Sequence, residues 1–135
     1  MPRITLTLDF PPGVDKGTME TLLELDNEGD SVLLYDVLLI FLSSAPSKFQ
    51  IIEEAYKNKD FAKLAFEAHA LKSSSANLGF ETLRDASLEI EKAATASQWD
   101  HVEVGFKQLS NAYPLIYAFA EKLGSHIKAQ FSSLA

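Results

Sequence analysis

His69 and Lys72 stand in the stretch Ala68-His69-Ala70-Leu71-Lys72-Ser73-Ser74-Ser75-Ala76-Asn77-Leu78-Gly79, whose other members are small or apolar apart from Asn77. Imidazole is a nucleophile when neutral. An ammonium one helical turn away would steady a dianionic group carried on the ring and disfavour protonation of the ring beforehand. On a helical wheel of ~100° per residue, Leu64, Ala68, Leu71 and Ser75 fall on one side, with Phe61 and Leu78 flanking them; that side faces a core. His69 lies roughly 120° from the centre of this stripe and is expected to be exposed. Its neighbours three, four and seven positions away are Ala62, Ala65, Phe66, Lys72, Ser73 and Ala76. Long side chains are therefore kept away from the imidazole, leaving a shallow clearing onto which a protein partner could press a flat face. Phe66 adds an apolar patch there. The stem of Lys72 is expected to run along apolar surface with its ammonium near the His69 ring. An exposed histidine beside a lysine most often carries no function, and a Ser/Ala-rich face is often only a close helix contact. The combination is what singles this stretch out.

The elements that must position these residues are helical. Ile4, Leu6, Leu8 and Phe10 alternate with Thr5, Thr7 and Asp9, an extended pattern stopped by Pro11-Pro12-Gly13. With no strand to pair with, it is expected to lie as an arm on the helices. A first helix is predicted from Lys16 to about Asn27, with Met19, Leu22, Leu23 and Leu25 as its apolar positions. Asn27-Glu28-Gly29-Asp30 forms the next turn, and Asp30 or Ser31 is the N-cap of the second helix. That helix, Val32 to about Asn58, contains Pro46, so a kink or break is expected near Ser43-Ser44-Ala45. Asp60 caps a third helix that ends at Gly79, a residue suited to a left-handed terminus. A fourth spans Glu81 to Ala96 and a fifth runs from about His101 to Leu123, closed by Gly124. Short loops between long helices imply an all-α, up-and-down, antiparallel four-helix bundle with an additional short N-terminal helix and an extended N-terminal arm. The organisation is an arm over 1–13, the bundle over 14–124 and a tail over 125–135, where Ile127 and Phe131 could extend the packing.

The length fits one domain. Hydrophobic residues at 47% and charged residues at 23% give an ordinary globular balance. A net charge of −7 with no basic run disfavours nucleic acid and membrane surfaces as partners. The absence of cysteine excludes disulfides and thiolate metal ligands. No secretory signal is evident at the N-terminus, and the greasiest window, Val32 to Leu42, is too short to span a bilayer. A soluble, cytoplasmic domain is expected. His101 reads as a capping or packing residue and His126 as part of the tail. Glu53-Glu54 and Glu89 with Glu91 read as solvated helix faces. No zinc set is apparent.

From about Val14 to Leu123 the chain resembles histidine-containing phosphotransfer (HPt) domains. The specific part is His69-x-Leu71-Lys72, a small residue, a Ser/Ala run and Leu78-Gly79. Val14-Asp15 with Leu22 and Leu25, the Gly29-Asp30 turn, Leu38 with Phe41-Leu42 and Pro46, and Leu83 with Leu88-Glu89 are similar to the rest of the pattern. The resemblance implies that His69 accepts a phosphoryl group from a receiver-domain aspartate and passes it to another receiver. Lys72 matches the lysine that supports the group, and Gly79 the glycine ending the helix. Ser73 stands where the family usually has glycine, which implies activity with altered partner choice. Ala62, Ala65, Phe66, Ser73 and Ala76 are the implied docking residues. Magnesium belongs to the receiver, so no cofactor or metal is expected on this chain. There is no nucleotide-binding loop. The resemblance thus implies a monomeric phosphocarrier, not an enzyme, with receivers and a hybrid histidine kinase as its partner classes. Two alternatives stay open: a receiver-docking module that never takes up phosphate, and the phosphoacceptor domain of a chemotaxis-type histidine kinase.

Overall fold

The computed structural model describes residues 4–25 and 32–134, with side chains as far as residue 130. It contains α1 (Lys16–Leu25), α2 (Leu33–Lys57), α3 (Phe61–Asn77), α4 (Glu81–Thr95) and α5 (Trp99–Leu134). The last four form an up-and-down bundle and the short α1 packs on α2. The expected turn at Asn27–Asp30 and its cap at Asp30 or Ser31 lie outside the described residues.

Three helices stop in the same way, which fixes the antiparallel order. Gly79 N donates to Ala76 O and Phe80 N to Ser75 O, closing α3 with a residue at φ +73°. Lys59 and Ser97 repeat this geometry after α2 and α4, at φ 52° and 56°. Each motif satisfies carbonyls of the last turn and leaves only a few residues before the next helix begins. Asp60, as expected, opens α3 by accepting from Lys63 N at 3.1 Å.

Pro46 does not break α2, which runs through it to Lys57. The proline leaves Leu42 O without its helical donor. Tyr117 on α5 takes over, donating to Leu42 O at 2.8 Å. Gly124 likewise does not end α5. Leu123 and Ile127 are fully buried one turn apart, so continuing the helix past the glycine covers apolar surface.

The extended arm meets this continuation of α5. Leu6 is buried, Ile4, Leu8 and Phe10 are half-buried, and Phe10 lies against Phe119 with ring centroids 5.1 Å apart. No strand forms among the described residues. Instead, the Gln130 side-chain amide accepts from Thr5 N (2.7 Å) and donates to Thr5 O (2.8 Å), as a neighbouring strand would. His126 Nε2 also lies 2.8 Å from Thr5 O, so this histidine holds the arm. At the arm's base, Asp15 N donates to Gly79 O at 2.7 Å, and a Cβ on Gly79 would sit 2.7 Å from Asp15 O. Glycine is thus required at that crossing twice over, by conformation and by space. On α1, Met19 is buried and Leu22 and Leu23 are half-buried, but Leu25, expected on the apolar face, is exposed.

Candidate functional site

The site grows out of the pairing of α3 with α4. Buried Ala68 and Ser75 on α3 face a bundle interior that α4 lines with Ala86, Ser87, Ala93 and Ala94. Small residues let two helices approach closely, and Ser75 and Ser87 do so at a cost, since neither hydroxyl has a partner among the described residues. His69 lies ten residues before Gly79 and Glu91 twelve after it. Folding back at that glycine sets them at similar heights, about 15 and 18 Å from the turn at 1.5 Å per residue.

The His69 side chain is 60% exposed and its Nδ1 lies 2.5 Å from Glu91 Oε2. Lys72 Nζ donates to the other carboxylate oxygen, Oε1, at 2.7 Å and stands 3.3 Å from His69 Nδ1. An ionised carboxylate only accepts, so the short contact places the proton on Nδ1 and leaves the lone pair on Nε2. Lys72 is then a neighbouring charge to the ring, not a second donor to Nδ1. The hydrogen bond from Lys72 holds the Glu91 carboxyl below its ordinary range; the His69 hydrogen bond adds to this, and burial works against it. Nε2 has no hydrogen-bond partner among the described residues.

Most of the expected clearing is present. Ala62, Phe66, Ser73 and Ala76 are exposed along the same stripe of α3 as His69, Phe66 being 74% exposed. Ala65 is half-buried against the core. Lys72 is half-buried with its ammonium near the ring, as its stem suggested, while Gly79 is buried at the α3 terminus.

Glu91 corrects the sequence reading. It is not a solvated face: its side chain is only 21% exposed and engages both His69 and Lys72. Its residue type carried no signal, but its position did. Leu83, Ala86, Ser87, Ile90, Ala93 and Ala94 form the buried face of α4, and Glu91 borders it on the side of α3. His101 is exposed and lies 3.7 Å from Glu89 rather than packing inward.

Among the described residues no group of three or more His, Cys, Asp or Glu could hold a metal ion. No helix among them is long and apolar enough to cross a membrane. No curated protein gives a significant match to the chain. The family model of the Hpt domain matches residues 36–123, well over half the sequence, with the His69 helix inside that span, and the chain therefore belongs to the Hpt domain family.

Proposed function

We propose that this protein is a phosphocarrier of a multistep phosphorelay, accepting a phosphoryl group on His69 and passing it on. Hpt family membership supports a phosphorelay role in general. The observation that carries the assignment to His69 is the Nδ1–Glu91 contact, which leaves Nε2 as the nucleophile in a cleared, exposed face. The Nε2 lone pair forms the N–P bond as the P–O bond to the donor's aspartate carboxylate breaks, and that carboxylate leaves ionised. The proton stays on Nδ1, so the ring gains positive charge, which the Glu91 carboxylate balances. Reversal against a second aspartate completes the relay.

Lys72 orients Glu91, and its ammonium, 3.3 Å from Nδ1, adds positive potential around the ring that favours the arriving dianionic group. Ala62, Ala65, Phe66, Ser73 and Ala76 form the docking face for a receiver domain, whose own site supplies magnesium. The carrier is monomeric and cytoplasmic, and receivers with a hybrid histidine kinase upstream are its partners. The bundle domain spans 14–124, flanked by the arm and the C-terminal segment.

The test is to incubate wild-type protein and His69→Gln with a panel of phosphorylated receivers and follow acid-labile label on this chain. Label on the wild type and none on a folded variant is expected. Equal labelling of both would overturn the assignment. Receiver binding by both proteins with no label on either would instead identify a docking module.

A further inference from the structure

On the reading that His69 carries the phosphoryl group on Nε2, no side chain among the described residues donates to that nitrogen in the resting site. Lys72 lies on the other side of the ring, donating to Glu91 Oε1 at 2.7 Å and standing 3.3 Å from Nδ1. Freeing it would break the ion pair that fixes Glu91. The exposed stripe of α3 around His69 can supply a further donor to phosphoryl oxygens on Nε2. Its members beside His69 are Ala62, Phe66, Ser73 and Ala76, of which Ser73 alone has a side-chain proton to give.

Ser73 is also placed to give it. Side chains on a helix tilt toward its N-terminus, so a residue four positions later covers the turn that His69 occupies. The Ser73 hydroxyl already reaches back that far, donating to His69 O at 3.1 Å. Such back-bonding is ordinary for a helical serine, and Ser44 and Thr95 show it too. What sets Ser73 apart is that the carbonyl it bonds belongs to the nucleophile's own residue. That carbonyl keeps its helical N–H donor when the hydroxyl leaves, so rotation of χ1 to another staggered well costs little.

We infer that Ser73 is a hydrogen-bond donor to the phosphoryl group on His69, its hydroxyl swinging from His69 O to a phosphoryl oxygen once Nε2 is modified. No bond to Ser73 forms or breaks, and its proton stays on the hydroxyl. In the reverse transfer the hydroxyl returns to the carbonyl. Ser73 thus prolongs the phosphorylated state instead of merely narrowing the docking face.

The test loads the folded full chain with phosphoramidate, a small phosphoryl donor that needs no receiver, and follows phosphohistidine decay at neutral pH. Wild type, Ser73→Ala and Ser73→Thr are compared, with circular dichroism confirming equal helicity. Loss of one such hydrogen bond is expected to shorten the half-life of Ser73→Ala about threefold to tenfold, and Ser73→Thr should restore it to within about twofold. Equal half-lives for wild type and Ser73→Ala would overturn the Ser73 role while leaving the phosphocarrier reading standing. A shortened half-life in both variants would also overturn it, because the hydroxyl would not be the cause. Wild type that takes no label on His69 would overturn the phosphocarrier reading itself.

Discussion

Glu91→Gln keeps the size and reach of the side chain and removes its charge from beside the His69 ring. The amide oxygen can still accept from Nδ1–H, so the tautomer survives, while the amide NH2 cannot accept from Lys72 and that hydrogen bond is lost with the charge. In the proposed transfer step the ring becomes positive with a carboxylate oxygen 2.5 Å from Nδ1. Unit charges about 4 Å apart at a protein surface interact by about 4 kcal/mol at an effective dielectric near 20. The imidazole is 60% exposed, so solvent screens much of this. A retained ~1.5–2 kcal/mol corresponds to a rate loss of about tenfold to thirtyfold. The assay is the initial rate of His69 labelling by phosphoramidate at fixed pH, with thermal unfolding run in parallel to show that the fold is intact. A rate within about twofold of wild type would refute the charge-balancing role of Glu91. The same carboxylate has a stability signature. Its folded pKa is lowered from the ordinary 4.5, so its contribution is present above that value and is lost as pH falls through the lower folded one.

Other outcomes come from the bundle. Tyr117→Phe should lower stability by about 1–2 kcal/mol in urea unfolding, because Leu42 O loses the donor that replaces the missing N–H of Pro46. A second substitution, Pro46→Ala, should recover part of that loss by restoring the helical donor. Ser97→Gly should raise stability by about 0.5–1 kcal/mol, since Ser97 holds φ 56° at the end of α4 where glycine is unstrained. Burial pushes the Tyr113 phenol from 10 up to about 12. Its contribution is complete below pH 10 and is lost as pH rises toward the folded value of about 12; the melting temperature should fall across that window, and Tyr113→Phe should flatten the decline.

Much of the fold was legible because its signals are local. Asp60 and Gly79 bracket α3 through an N-cap and a left-handed terminus, and both are set by a few neighbouring residues. The buried stripe Leu64, Ala68, Leu71, Ser75 comes from helical period alone, and with it the outward direction of His69. The misread boundaries share a cause. Pro46 and Gly124 carry local signals to stop, and contacts from elsewhere overrule them: Tyr117 supplies the missing donor at one, and the buried pair Leu123 and Ile127 favours continuation at the other. The arm's alternation was legible as extended chain, but its mate is the Gln130 side chain at the far end of the sequence.

The sequence by itself determined the helical bundle, the exposed histidine with its lysine one turn on, and the small residues around them, because each depends on spacing within one helix. Only the tertiary structure decided which nitrogen of His69 is engaged and which is left open. That choice belongs to Glu91, which reaches the ring because α4 folds back along α3 at Gly79 and small residues let the two helices close. A carboxylate 22 positions away along the chain becomes a hydrogen-bond partner only when two helices pack, and one-dimensional periodicity holds no record of that.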